Sequence, residues 1–150
     1  MKWRIIPVLI AVLFIGIAVS GPTGLFATSG RAGDVVVICN DSVPASSLSR
    51  DNIQEMFLGR KTRWSDGQKI TLTLLKDSDA NDVFLEEYVE KTPQQFRDYW
   101  KKQAFTGRGR IPDTFASPQE VIEFVKNTPG AVGYIPASAY ESQVKSITIE

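Results

Sequence analysis

Residues 70–84 read ITLTLLKDSDANDVF, in which a strand pattern passes through a polar turn into a helix pattern. Apolar and polar side chains alternate from Ile70 towards Leu75, as they do in a strand. Asp77-Ser78-Asp79 is a cluster of helix-capping residues, and the apolar residues between 80 and 88 then recur with the helical period. This stretch therefore predicts a strand, a polar turn and a helix in direct succession.

Further strands and helices alternate on both sides of this unit. The apolar run 35–39 (VVVIC) predicts a strand buried on both faces, and residues 131–135 and 144–149 predict two more. Capping signals predict further helices, which begin after Ser49, Thr92 and Ser117. This order is typical of βαβ folds, so we expect an α/β domain with a mostly parallel sheet and helices on both faces.

The N-terminal segment has the pattern of a secretory signal. Residues 1–4 carry positive charge, and residues 5–19 are uncharged and mostly apolar. This run is shorter than the ~20 residues that a membrane-spanning helix needs. We therefore expect a signal peptide at 1–27, a linker at 28–33 and a domain at 34–150, in a periplasmic or otherwise exported protein. An uncleaved membrane anchor is the alternative to cleavage.

The charge balance limits the possible partners, and the cysteine count limits the possible disulfides. Seventeen basic residues balance seventeen acidic ones, and acidic residues are in excess once Lys2 and Arg4 are set aside. Nucleic-acid binding needs a basic face, so we expect no nucleic-acid partner. The single cysteine, Cys39, cannot form an internal disulfide, and we expect it to be a small buried residue at a strand end.

The sequence lacks the residues of common catalytic and cofactor sites. It has no histidine, which excludes Ser-His-Asp triads and histidine-based zinc sites. No phosphate-binding loop or dinucleotide fingerprint follows the first strand. Asp77, Asp79 and Asn81 imitate the start of a calcium loop, but the later glycine and closing glutamate are missing. We therefore expect a protein that is not an enzyme and that holds no metal or cofactor.

Three motifs, in this order and spacing, carry a family resemblance. The first is SLSRDNIQEMFLGR at 47–60 followed by WSDG at 64–67, the second is the strand and polar turn near Leu75, and the third is TPGAVGYI at 128–135. Together they resemble the phosphate-binding subunit of bacterial ABC transporters, a type II periplasmic binding protein. The resemblance covers roughly residues 34 to 137.

The resemblance implies one lobe of a periplasmic-binding-protein-like fold. The family has two lobes that close on the anion, whereas this chain is long enough for one and matches the lobe built from the middle of the family's sequence. In the family, an arginine ends the strand, and an Asp-Gly-Ser-Gly-Thr turn presents hydroxyl and N–H groups to phosphate. Here Leu75 stands at the arginine position, Asp77 matches, and Asp79, Ala80 and Asn81 replace Ser-Gly-Thr. We expect the Asp79 carboxylate to occupy the helix N-terminal donors and to repel a dianion.

One functional hypothesis is an exported solute-binding-like protein that binds phosphate or another oxyanion for transport or sensing. Its partners would be the small anion and a membrane transporter or envelope protein. Its candidate ligand-binding residues lie after the first strand, in the turn and helix start, and in the loop near residue 109. They are Ser42, Ser46, Ser47, Asp77, Ser78, Asp79, Ala80, Asn81, Arg108 and Arg110.

The alternative hypothesis is an envelope protein-interaction module that keeps the fold but has lost the anion site. The surface of the missing lobe would then bind a partner or a second copy of the chain, as a homodimer. Trp64, Trp100, Phe105 and Phe115 are candidates for an exposed aromatic patch, because aromatic side chains anchor interfaces. Core packing is the alternative for each, and it explains Trp64 least well because Trp64 follows the basic loop 60–63.

Overall fold

The computed structural model describes residues 34–150, so the predicted signal peptide 1–27 and linker 28–33 lie outside the described residues. The described chain forms a sheet with surrounding helices. Its elements are β1 (Val35–Cys39), β2 (Ser47–Leu48), α1 (Arg50–Phe57), β3 (Thr71–Leu75), α2 (Asp79–Phe84), α3 (Pro93–Phe105), β4 (Asp113–Phe115), α4 (Pro118–Asn127), β5 (Ala131–Pro136) and β6 (Lys145–Ile149). A π-helical segment, Leu85–Val89, continues α2, and a 3-10 turn, Ala137–Ala139, follows β5.

The six strands of the described residues lie in the order β2-β6-β1-β5-β3-β4. β3 is parallel to both β4 and β5, and β2 is parallel to β6, which confirms the expected α/β class with a mostly parallel sheet. β1 differs, because it runs antiparallel to β5 and β6. The sequence did not predict this direction, since a strand buried on both faces has the same apolar pattern either way.

The strand directions define two ends of the sheet. Thr71 pairs with Ala131 at the start of β3 and β5, and Cys39 at the end of β1 pairs with Val132 nearby. We call this the Gly130 end, after the residue that precedes β5. The opposite end, where β3 and β5 finish and β1 begins, is called the Ser78 end.

Helices cover both faces of the sheet, as the sequence predicts. The Tyr134 ring stacks on Phe84 of α2, with 3.9 Å between ring centroids. The neighbouring Gly133 points to the other face, where an added Cβ would lie 2.0 Å from the Thr73 hydroxyl and 3.2 Å from Val121 of α4. Successive strand residues point to opposite faces, so α2 and α4 lie on opposite sides of the sheet.

Two of the family-like motifs contact each other. Trp64 is buried, and its indole N–H donates a 3.0 Å hydrogen bond to the carbonyl of Gly130. Gly130 adopts a φ of +74°, and an added Cβ would lie 2.2 Å from the carbonyl oxygen of Lys69. Trp64 therefore belongs to the core, and the expectation that core packing explains it poorly is wrong.

The predicted exposed aromatic patch does not form. Trp100 is as buried as Trp64, and its indole N–H donates to the carbonyl of Phe57. The Phe115 ring packs on Phe124, with 5.0 Å between ring centroids. Of the four candidate aromatics only Phe105 is largely exposed, with 94% of its surface accessible.

Cys39 lies buried at the end of β1, as expected. Burial raises the pKa of its thiol to about 11, because the charged thiolate is poorly solvated there. Over residues 34–150, no helix has the length and apolar character needed to span a membrane.

Candidate functional site

The turn between β3 and α2 is a helix cap. Asp77 has a left-handed φ of +29°, and the Ser78 hydroxyl accepts a 3.1 Å hydrogen bond from the Asn81 N–H. The side chain that caps α2 is therefore Ser78, a member of the predicted capping cluster, and not the Asp79 carboxylate that was expected to occupy the helix N-terminal donors. Asp79 and Asp82 both lie in the first helical turn, so three carboxylates, with Asp77, surround the helix start.

Asn81 of this turn is bonded within the protein interior. The Tyr134 hydroxyl donates a 2.7 Å hydrogen bond to Asn81 Oδ1, and the Asn81 amide donates to Asp82. Burial raises the pKa of Tyr134, so its hydroxyl remains a protonated donor over the physiological range. Ala80 is also buried. Ser78, Ala80 and Asn81 therefore have structural roles in the fold.

The electrostatics of this turn disfavour an anion. A helix N-terminus attracts negative charge through its free N–H groups and dipole. Here the exposed carboxylates of Asp77 and Asp79 already supply that charge, and Leu75, at the family's arginine position, is a buried core residue. Like charges at short range raise the free energy of a bound dianion. Within residues 34–150, no cluster of acidic or cysteine side chains is suited to hold a metal ion.

The three candidate serines lie away from this turn. Ser42 is at the Gly130 end, where its hydroxyl accepts a 3.2 Å hydrogen bond from the Gly130 N–H. Ser47 of β2 pairs with Thr148 of β6, and the backbone carbonyl of Ser46 accepts a hydrogen bond from the Thr148 N–H. Three strands separate β2 from β3, which corresponds to ~19 Å across the sheet. The serines and the Ser78 turn therefore do not form one site.

A groove of about 260 Å³ brings Arg108 and Arg110 together with two lysines. It lies between the α1–β3 connection, the start of β3 and the loop after α3, near the Gly130 end. Lys61 and Lys69 line it with the two arginines, and Asp113 is the one acidic residue in its lining. The apolar part of the wall consists of Met56, Leu58, Ile70, Leu72, Trp100 and Ile111.

Trp100 fixes the backbone on two sides of the groove. An added Cβ at Gly59 would lie 2.8 Å from the Trp100 ring, and one at Gly109 would lie 3.0 Å from it. The Arg108 N–H also donates a 2.9 Å hydrogen bond to the carbonyl of Gln103 in α3. A side chain at Gly59 would clash with this ring and one at Gly109 would be crowded by it, so both basic loops pack closely against one indole ring.

The positive charges of the groove are only partly neutralised. The Arg110 guanidinium lies 3.6 Å from the Asp113 carboxylate, and 90% of the Arg110 side chain is exposed, so solvent screens this pair strongly. Lys61 donates a hydrogen bond to the neutral amide oxygen of Asn52. Within residues 34–150, the side chains of Arg108 and Lys69 have no hydrogen-bonding or ionic partner. Four cations against one carboxylate leave an excess of positive charge.

Lys61 and Lys69 are site residues that the sequence did not single out. The basic run at 60–63 was visible, but its charge is usual for a solvent-exposed loop. The basic run lines a groove only because α1 packs on α3, which brings the loop at 60–63 close to the loop at 108–110. The available signal was a pair of basic loops, at 60–63 and 108–110, one on each side of the segment from β3 to α3.

Comparison with solved structures shows the fold. The chain superposes on an ABC-type phosphate transport receptor from Vibrio cholerae with 16% identity and a TM-score of 0.53, over 77% of this chain and 45% of that one. PstS from Borrelia burgdorferi gives 17% identity and a TM-score of 0.58, over 77% and 47%. A phosphate-binding protein from Stenotrophomonas maltophilia gives 17% identity and a TM-score of 0.54, over 78% and 39%.

These similarities confirm the predicted single-lobe fold. The chain spans less than half the length of the structures it matches. No protein-family model matches the chain, and no curated protein matches it either. At this level of identity the likeness shows the periplasmic-binding-protein fold, and ligand binding has to be argued from the residues of this chain.

Proposed function

We propose that this chain is an exported, non-enzymatic solute-binding-like protein that binds phosphate or another small oxyanion in the basic groove. The proposal rests on one observation, the gathering of Lys61, Lys69, Arg108 and Arg110 around a groove whose lining contains one carboxylate. Arginine forks match the oxygens of phosphate and sulfate, and lysines add compact positive charge. The fold shared with phosphate-binding proteins supports the solute-binding class.

In this proposal the anion binds at the groove and not at the Ser78 turn. The groove has unpaired cations, whereas the turn has exposed carboxylates at Asp77 and Asp79. The groove is open to solvent on one side. We therefore expect lower affinity than that of a two-lobed clamp, unless another molecule covers the open side.

The groove favours binding without reaction. Its one carboxylate, Asp113, lies next to Arg110, and no histidine exists in the chain to act as a general base. Export rests on the sequence pattern of residues 1–27. The kind of partner proposed is an ABC transporter or another envelope protein, as the names of the structural neighbours suggest. The comparisons lend no support to a homodimer.

Isothermal titration calorimetry of the purified protein with phosphate, sulfate and chloride tests the proposal. We expect saturable one-to-one heat with phosphate or sulfate, which weakens as salt is added. The double variant R108Q/R110Q is expected to bind at least tenfold more weakly, because two charge-assisted hydrogen bonds are lost. Arg97→Gln is the matched control, since Arg97 is an exposed arginine of α3 that bonds Gln94 outside the groove.

One observation favours the alternative, an interaction module without an anion site. The carboxylates of the Ser78 turn, which corresponds to the phosphate-binding turn of the family that the chain resembles, support this alternative. Absence of heat with every anion would overturn the oxyanion proposal and favour this alternative. Equal loss of affinity in Arg97→Gln and in R108Q/R110Q would remove the groove from the proposal, since it would indicate a general charge effect.

A further inference from the structure

The loop beside the basic groove exposes large apolar side chains. Phe105, the last residue of α3, is 94% exposed, and Ile111, on the groove rim, is 48% exposed. They are the two most exposed large hydrophobic residues in the described part of the chain. A single exposed apolar residue is common, but here two lie on either side of one cationic loop.

The same segment is strongly basic in an otherwise acidic domain. Residues 101–112 read KKQAFTGRGRIP, with four cations and no acid. Residues 34–150 as a whole contain 14 basic and 17 acidic residues, because Lys2, Arg4 and Arg31 precede them. Lys61 and Lys69 add two cations on the facing wall of the groove. Apolar and cationic side chains are therefore combined on one edge of the molecule.

Phe105 is held in its exposed position by ordered backbone. The Thr106 hydroxyl bonds the carbonyl of Lys102 at 2.9 Å, and the Gly107 N–H donates to Ala104 at 3.1 Å. Gly107 adopts a φ of +69°, which reverses the chain after the helix. The Arg108 N–H bond to Gln103 and the contact of Gly109 with Trp100 continue this order. These contacts define the turn that follows Phe105 at the helix end.

We infer that this edge docks on a membrane surface with anionic phospholipids, with Phe105 and Ile111 in the acyl region and a lipid phosphate in the basic groove. This inference rests on the proposed function, because it identifies the oxyanion as the phosphate of a lipid headgroup. A lipid places a phosphate next to an apolar chain, which matches cations next to an apolar rim. A free small oxyanion would use the cations but would leave Phe105 and Ile111 in water.

The expected strength follows from general membrane physics. A basic residue close to an anionic surface increases binding roughly fivefold, and a cluster of cations acts together. Burial of one phenylalanine side chain at the interface adds about tenfold. Binding should therefore require anionic lipid and also respond to loss of the Phe105 ring.

A fluorescent label at position 105 tests the inference in the full chain. Cys39 is fully buried, so a Phe105→Cys variant can be labelled at the new thiol with an environment-sensitive maleimide dye. Gln119→Cys, in the first turn of α4 and outside the groove lining, is the matched control. The local readout separates docking of this edge from any membrane contact made by residues 1–27.

Vesicles of phosphatidylcholine alone and with phosphatidylglycerol are the probes. We expect a blue shift and an intensity gain for the label at 105 with phosphatidylglycerol vesicles, little change at 119, and at least a tenfold loss of response in the R108Q/R110Q background. In parallel, Phe105→Ala should reduce vesicle binding about tenfold by flotation of unlabelled protein. A silent label at 105, or equal responses at 105 and 119, would overturn the inference.

Two further outcomes separate this inference from the proposed function. Phosphate heat that depends on Arg108, together with a silent label, would overturn only the lipid assignment. Absence of both signals would overturn the oxyanion site itself. A response to soluble polyglutamate as large as the response to vesicles would assign the edge to an acidic polypeptide and would overturn the membrane inference.

Discussion

At the residue scale, the Tyr134–Asn81 pair links the sheet to the start of α2. The Tyr134 ring stacks on Phe84, and its hydroxyl donates to Asn81 Oδ1 at 2.7 Å inside the core. Tyr134 belongs to the family-like motif at 128–135, and Asn81 belongs to the turn that the family uses for phosphate. The contact shows that these residues have taken a structural role, since a buried amide bonded to a tyrosine is unavailable to a ligand.

Removing the Tyr134 hydroxyl should destabilise the protein without affecting phosphate binding. In Tyr134→Phe the Asn81 oxygen stays buried without its donor, and we expect a loss of about 2 kcal/mol in the free energy of unfolding by urea denaturation. Tyr140→Phe is the control, because its hydroxyl lies 3.4 Å from its partners and its ring is partly exposed. A loss as small as the control's, within ~0.5 kcal/mol, would contradict the assigned hydrogen bond.

Cys39 provides a pH prediction at the same scale. Burial raises its pKa from 9.0 to about 11 in the folded protein, and the unfolded chain should have the ordinary value. The neutral thiol's contribution to stability is therefore complete below pH 9 and is lost as pH rises towards 11. By pH 11 we expect the wild type to lose about 2 to 3 kcal/mol more than Cys39→Ala in urea unfolding. Parallel pH profiles for the two proteins would contradict the buried thiol.

At the element scale, the Gly130 turn joins three parts of the chain. The indole N–H of Trp64, in the loop before β3, donates to the Gly130 carbonyl, and the Gly130 N–H donates to the hydroxyl of Ser42, in the loop after β1. The backbone carbonyl of Lys69 also passes close to Gly130. The Pro-Gly-Ala-Val-Gly-Tyr pattern thus marks a packing junction of the fold. Such a motif can persist in a chain whose ligand site has changed, which explains why the resemblance is stronger in the scaffold than in the turn.

Gly130→Ala should destabilise the protein much more than Gly67→Ala. Both glycines have positive φ, but an added Cβ at Gly130 would meet the Lys69 carbonyl at 2.2 Å, whereas at Gly67 it meets nothing within 4 Å. We expect about 1 kcal/mol for Gly67→Ala from backbone strain alone and about 3 kcal/mol for Gly130→Ala, by urea denaturation. Equal losses would show that the close approach to Lys69 does not exist.

Several elements were predictable because their signals are local. The four longer strands and the helices that begin after Ser49, Thr92 and Ser117 follow from periodicity and capping. The short strands β2 and β4 were not predicted, because two or three residues have no measurable period. Because β2 was not predicted, the sequence did not show that Ser47 lies in this strand, remote from the Ser78 turn.

At the scale of the whole molecule, the acidic Ser78 turn and the basic groove lie towards opposite ends of the sheet. The Ser78 end carries Asp77, Asp79 and Asp82, and the groove near the Gly130 end carries the excess of lysine and arginine. The sequence alone could not show this separation, because Arg108 and Asp77 belong to distant segments placed by the strand order. Grouping Ser42, Ser78 and Arg108 in one candidate site was therefore an error of topology, although each segment was identified correctly as a loop or cap.

Nuclear magnetic resonance of the ¹⁵N-labelled protein during titration with inorganic phosphate tests most directly whether and where this protein binds an oxyanion. We expect saturable amide shift changes in residues 59–62 and 106–113, around the groove, and unchanged positions for residues 77–82. Changes centred on residues 77–82, with the groove silent, would contradict this expectation and return the anion to the turn that the family uses. Absence of any change at millimolar phosphate would contradict the oxyanion proposal as a whole.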